Sequence, residues 1–187
     1  MCFSYFSMRR ILSGIFLVWS MAQVDGATLS RLTLDDMINQ STEIVHARVT
    51  GSYAAQRNAL IYTFYQAQVI SRWKGASQAT VEIALPGGTA NGVRQAFPGT
   101  PQLTEGREYL LFLWTSKSGL TQIIGLSQGL FDVTTDAAGV SIVTRGASSN
   151  SLLDPHTLQL VKDDAIQMQL KDFGARITAT LGKGATN

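Results

Sequence analysis

Two long stretches of alternating residues constrain this chain most. Residues 43–53 (EIVHARVTGSY) set Val45, Ala47 and Val49 on one side and Ile44, His46 and Arg48 on the other. Residues 60–73 (LIYTFYQAQVISRW) form a second run, rich in aromatic and β-branched side chains and closed by Lys74-Gly75. A repeat of two is the signature of a strand with one face turned to a core. The second run is long enough to need a bend or bulge midway, as barrels require. A polar turn over 54–59 joins the two. Residues 80–85 (TVEIAL) alternate in the same way. Residues 109–114 (YLLFLW) are apolar on both faces and belong at the centre of the sheet.

Shorter strands are expected at 119–126, 130–135 and 140–144, the last two joined by the hairpin turn Asp136-Ala137-Ala138-Gly139. A short helix precedes the first strand. Thr33 is placed to cap it, Asp35 and Asp36 sit in its first turn, and Leu34, Met37 and Ile38 share a face. A second helix is predicted from Asp154, with Pro155 in the first helical position and Leu158, Val161, Ala165 and Met168 as its apolar stripe. Gly174 ends or frays it, and the tail from Gly182 is loose. Strands do not alternate with helices, which disfavours a doubly wound parallel sheet. The expected fold is mainly β (α+β): a small curved antiparallel OB-like barrel with a short N-terminal helix and a C-terminal helix.

The first residues read as an address. Arg9 and Arg10 precede an uncharged apolar run at 11–21, and Ser20-Met21-Ala22 supplies small residues at both key positions of a cleavage site. An apolar run of about 11 residues is far short of the roughly 20 that a spanning helix needs. Residues 1–22 are therefore expected to be a signal peptide cut after Ala22, with Met8 as a second candidate start. The barrel domain is expected over 28–146, and the linker, C-terminal helix and tail over 147–187. The expected location is periplasmic or secreted, with no stable membrane insertion after cleavage.

Removal of that segment takes Cys2, the only cysteine, and leaves 13 basic against 13 acidic residues. A thiol-free chain forms no disulfide, thiolate nucleophile or cysteine-ligated zinc site. A neutral one lacks the basic stripe of a nucleic-acid binder. Neither His46 nor His156 has a second histidine at ligand spacing, so each reads as a surface or interface imidazole and no metal site is expected. Ser127 lies in Gly125-Leu126-Ser127-Gln128-Gly129, formally G-x-S-x-G. That motif acts at a strand-to-helix elbow, whereas more strand follows here, so a turn flanked by glycines is the plain reading. The Asp35-Asp36 and Asp163-Asp164 pairs fall on predicted helices, where neighbours point apart. No catalytic residue and no cofactor is assigned.

The longest irregular stretch, 86–106, holds five glycines and three of the four prolines. A loop this long in a compact domain usually carries function. With the aromatic strand it nominates Arg94, Phe97, Tyr65 and Trp73 as contacts for a partner, an exported protein. The plain reading of the aromatic strand is two cores under two helices.

The order IVHARVTG, YTFYQAQVISRWKG, TVEIALPGG and EGREYLLFL resembles the netrin-like module, the OB-type barrel of tissue inhibitors of metalloproteinases and of complement C-terminal domains. It is also similar to uncharacterised exported bacterial proteins that share Trp-Lys-Gly, Pro-Gly-Gly and Gly-x-x-Tyr-Leu. The likeness spans residues 43–135. It implies a barrel scaffold used for protein contact, with no catalytic residues. The inhibitors' chemistry, an N-terminal cysteine amine on a metal, has no counterpart in a chain without cysteine. An exported non-enzymatic interaction module is the leading expectation. A structural envelope component and a small hydrolase using Ser127 or His46 are the alternatives.

Overall fold

The computed structural model describes residues 28–148 and 150–184. The expected signal peptide lies outside the described residues. In chain order the elements are β1 (Thr28–Ser30), α1 (Leu34–Gln40), β2 (Glu43–Arg57), β3 (Leu60–Lys74), β4 (Thr80–Pro86), β5 (Gly88–Ala90), β6 (Val93–Gln95), β7 (Glu108–Thr115), β8 (Thr121–Ile123), β9 (Leu130–Thr135), β10 (Ser141–Arg145), β11 (Ser151–Leu153), β12 (Leu160–Val161), β13 (Ile166–Gln169) and α2 (Leu170–Gly184). The described residues are mainly β, with two helices.

The main sheet is antiparallel and runs β13-β10-β9-β7-β2-β3-β4, with β8 added to the far end of β7. Its spine is the β2–β3 hairpin, in register from Ile44 opposite Lys74 to Arg57 opposite Leu60. Both strands pass through the expected polar turn, which shrinks to Asn58-Ala59, with Asn58 in the left-handed region. The expected bend falls in β3, where register slips leave Ile70 and Trp73 as extra residues, and a third slip leaves Thr50 extra on β2. Such bulges sharpen twist, and the sheet curls until β4 runs alongside β8. No ladder joins those two strands, so the sheet is curved but not hydrogen-bonded into a closed barrel.

Alternation along β7 explains its double apolar face. Tyr109, Leu111 and Leu113 enter the core inside the curl, with Val45, Val49, Ile83, Leu85 and Ile123. Leu110 and Phe112 enter a second core on the outer face, beneath α1 and α2. There the rings of Phe112, Phe131 and Phe173 meet at centroid distances of 5.2–6.2 Å. Helix α1 starts as its sequence dictates. Thr33 and Asp36 form a reciprocal capping box, and Met37 and Ile38 are buried.

The second helix is displaced from its expected place. Asp154 caps a turn instead: its Oδ1 accepts from the amides of His156 and Thr157, and Leu158 adopts a left-handed φ of 57°. Ile166 and Met168 pair with β10 as strand residues. The helix begins only at Leu170 and runs through Gly174 and Gly182, with Phe173 and Ile177 buried. The segment after β10 is more than a linker, since β11 pairs in parallel with β1. No helix among the described residues is long and apolar enough to cross a membrane.

Candidate functional site

The irregular stretch after β4 folds into a short ribbon, β5–β6, laid over the distal part of the β2–β3 hairpin. Two glycines make this approach possible. Gly87 and Gly88 have φ of 103° and 134°, and a Cβ on Gly88 would stand 2.6 Å from Thr63 Oγ1. The Thr63 hydroxyl donates to the Gly87 carbonyl at 2.9 Å, and the Gly87 amide donates to the Ile61 carbonyl at 2.8 Å. Beyond the end of β4, Gln95 takes over the free edge of β3. Its Oε1 accepts from the Ile61 amide at 2.7 Å and its Nε2 donates to the Ala59 carbonyl at 3.1 Å. Side-chain amide groups thus complete the hydrogen bonding where the ladder stops.

Between the ribbon and the rest of the loop lies a cleft of about 290 Å³. Tyr65 and Leu85 line it from the sheet, and Arg94, Phe97, Thr100 and Pro101 from the loop. Tyr65 is almost buried, whereas Phe97 is 38% exposed. Arg94 is exposed and has no ion-pair partner among the described residues. Among the described residues it is the only charged one lining the cleft. Three of the four nominated contact residues, Arg94, Phe97 and Tyr65, therefore meet at one place. Trp73 does not join them. It lies at the other end of β3 and packs on α2, where its ring leaves Gly174 no room for a side chain.

The residues weighed for catalysis lie in other surroundings. His46 is buried rather than a surface imidazole: its Nε2 stands 2.8 Å from Glu108 Oε2, and Glu108 also binds the Arg48 guanidinium. Burial works to raise the Glu108 carboxyl, but hydrogen bonds from Arg48 and His46 outweigh it and hold the group below its usual range. Ser127 sits in a tight turn between β8 and β9, with its Oγ 3.4 Å from the Asn150 amide nitrogen. The cleft beside it is lined by no histidine among the described residues. His156 is exposed in the Asp154 turn.

The acidic pairs are split between structural partners. Asp36 caps α1, and hydrogen bonds from the Thr33 hydroxyl and amide lower its carboxyl. Asp35 faces Arg176, Asp163 binds Arg145, and Asp164 binds Arg31. Asp163 and Asp164 lie in a loop, not on the predicted helix. No group of three or more metal-ligating side chains occurs among the described residues.

Sequence reasoning missed Gln95, which staples the ribbon, and Thr100, whose buried hydroxyl has no hydrogen-bond partner among the described residues. A clue to Gln95 was available. A hairpin with β-branched residues cut short by Pro86 leaves edge amides that a nearby side chain must satisfy. Comparison with family models, with curated proteins and with solved structures finds no match.

Proposed function

We propose that the chain is an exported, non-enzymatic interaction module that contacts another secreted or envelope protein through the cleft of the β5–β6 ribbon. The observation that carries this reading is the convergence of Arg94, Phe97 and Tyr65 on one opening. A cation with no ion-pair partner among the described residues and a half-exposed ring stand there on a stapled support. Exposed aromatic and arginine side chains around a cleft are the usual anchors of protein contacts. The curled sheet, with β4 beside β8, supports an OB-like barrel as its scaffold and agrees with the netrin-like resemblance over residues 43–135. The basic flank and short apolar run at the start support export and a periplasmic or secreted location.

The experiment is cross-linking capture of the tagged protein from envelope and medium fractions, with wild type run beside an Arg94→Glu/Phe97→Ala variant. One protein recovered in stoichiometric amount by wild type and lost in the variant is the expected result. Equal capture by a variant of unchanged fold overturns the reading.

A structural, self-assembling role is the second reading, favoured by the β11–β12 hairpin. Leu158 and Leu160 are 71% and 73% exposed there, at the edge of a three-stranded sheet. Such an edge is a template for pairing with a further strand. Sedimentation over a hundredfold concentration range tests it. Mass that rises with concentration in wild type and not in Leu158→Ser/Leu160→Ser supports assembly, and a constant monomer mass removes it.

A further inference from the structure

The geometry points to a carboxylate borne beside an apolar side chain, on a peptide of the partner protein, as the group this cleft receives. The inference rests on the cleft being the contact site and adds the chemistry of what enters it.

Charge is the first argument. Arg94 is the only charged residue lining the cleft and has no acidic partner among the described residues. Every other arginine from Arg31 to Arg176, apart from Arg57, faces an aspartate or glutamate. Arg57 lies over the Phe64 ring. A guanidinium offers two parallel donors that match a carboxylate in bidentate geometry.

The second argument is the number of cations. Polyanions, whether nucleic acid or a sulfated chain, are held by several cations in a stripe. One arginine in a cleft with no other charge suits a single monoanion. The turn amides add no anion nest: the Gly87 amide is committed to the Ile61 carbonyl, and Gly88 lies in the β5–β6 ladder opposite Gln95.

Shape and polarity supply the third. The walls other than Arg94 include Tyr65, Leu85, Pro86, Phe97 and Pro101, which suit an apolar side chain adjoining the carboxylate. A volume of about 290 Å³ is at the small end of ligand clefts, so it takes one or two residues of a peptide. Threonine and glutamine side chains around the rim can meet the flanking backbone amides.

The test uses N-acetyl-L-phenylalanine, which carries the carboxylate and an apolar ring, against its primary amide, which keeps the ring and removes the charge. The protein in the form the cell accumulates, labelled with 15N, is titrated with each and followed by its backbone amides and arginine Nε–H signals. The expected result is a saturable shift confined to Arg94, Phe97 and the 86–102 segment, at least tenfold weaker with the amide. Arg94→Gln is expected to abolish the difference between the two probes with its other resonances in place.

Three outcomes overturn the inference: no saturable shift, equal response to carboxylate and amide, or a carboxylate response that survives in Arg94→Gln. Inorganic phosphate is the remaining arm, and a stronger response to it than to the carboxylate replaces the peptide by a phosphate ligand. Failure here leaves the interaction module standing if partner capture still depends on Arg94 and Phe97. Loss of both removes the module and its ligand together.

Discussion

Arg145 at the end of β10 is bound inside the protein by Asp163, which lies 18 residues further on: Nη2 stands 2.8 Å from Oδ1, with the side chains 10% and 4% exposed. The second oxygen of Asp163 accepts from the Ser148 amide, and Arg145 also donates to the Gln128 carbonyl. One carboxylate thus ties the segment after β10 back onto the sheet. Breaking a buried pair from one side leaves a charge without compensation, at a cost of about 3–5 kcal/mol. Asp163→Ala is expected to lose that much in urea unfolding. The double variant Arg145→Met/Asp163→Leu is expected to recover most of it, because neither charge remains to be solvated. A loss below about 1 kcal/mol in the single variant would mean that water reaches the pair.

The Glu108 site predicts an acid limb to the stability curve. Its carboxyl is held below the ordinary value of 4.5 by Arg48 and His46 against the opposing effect of burial. The folded protein therefore binds fewer protons than the unfolded chain in that range. The resulting stabilisation is complete above about pH 5 and is lost as pH falls through the lowered folded value. Glu108→Gln removes this term, so its stability is expected to fall less steeply than wild type between about pH 5 and pH 3. Asp36 and Asp154, also lowered, keep their share of the slope in the variant. Glu108→Ala is expected to cost about 1–3 kcal/mol at neutral pH, since it leaves buried His46 without an acceptor. Parallel pH profiles for wild type and Glu108→Gln would remove Glu108 from the acid response.

The strands of the curled sheet were legible because burial has a period of two wherever one face meets a core. Val45, Ala47 and Val49 fall in one cluster and Ile44 in the other, as their alternation requires. The capping box of α1 was legible for a similar reason, since Thr33 and Asp36 interact within one turn. The C-terminal helix was not, because two local signals are ambiguous. Asp-Pro opens a helix or an Asx turn with the same residues. Leu158, Val161, Ala165 and Met168 have helical spacing, but Ile166 and Met168 also alternate, and pairing with β10 decides between the two. The observed helix buries Phe173 and Ile177 and packs Leu181 beside them, and so continues past Gly174, where the sequence reading ends or frays it.

Arg94 and Phe97 were legible as loop residues worth suspicion. Their meeting with Tyr65 depends on the Gly87–Gly88 reversal and on the Gln95 staple. The reversal is a local event signalled by its paired glycines, whereas the staple joins Gln95 to Ile61, 34 residues apart, and no local pattern says which side chain meets that edge amide.

The G-x-S-x-G sequence offers a prediction that separates a turn from a nucleophile. A Cβ on Gly129 would lie 2.9 Å from the Phe112 carbonyl oxygen and 2.7 Å from Ile124 Cγ2. Neither the backbone oxygen nor the packed side chain yields cheaply, and Gly129→Ala is expected to destabilise by about 1–3 kcal/mol. Ser127 loses only one long contact on truncation, so Ser127→Ala is expected to stay within about 0.5 kcal/mol of wild type. Ester, peptide and glycan substrates supply the second readout. Turnover by wild type that disappears in Ser127→Ala would make the serine a nucleophile and end the non-enzymatic reading.

Helix α2 carries two glycines whose substitution should act in opposite directions. A Cβ on Gly174 would stand 2.8 Å from Trp73 Nε1 and 3.0 Å from its Cζ2. A Cβ on Gly182 would meet no atom of the described residues within 4 Å. Alanine gains over glycine in a helix by roughly 0.5–1 kcal/mol wherever room exists. Gly182→Ala is therefore expected to raise stability by up to that amount. Gly174→Val brings a branched side chain against a ring and is expected to cost about 1–3 kcal/mol. The cost should shrink when Trp73 is cut to Ala, since the obstacle then leaves with the ring. A double-mutant cycle on Trp73 and Gly174, read by thermal unfolding, measures this coupling directly. Additive losses at the two positions would mean that α2 does not rest on Trp73, and the outer core would need another lid over Phe112 and Phe131.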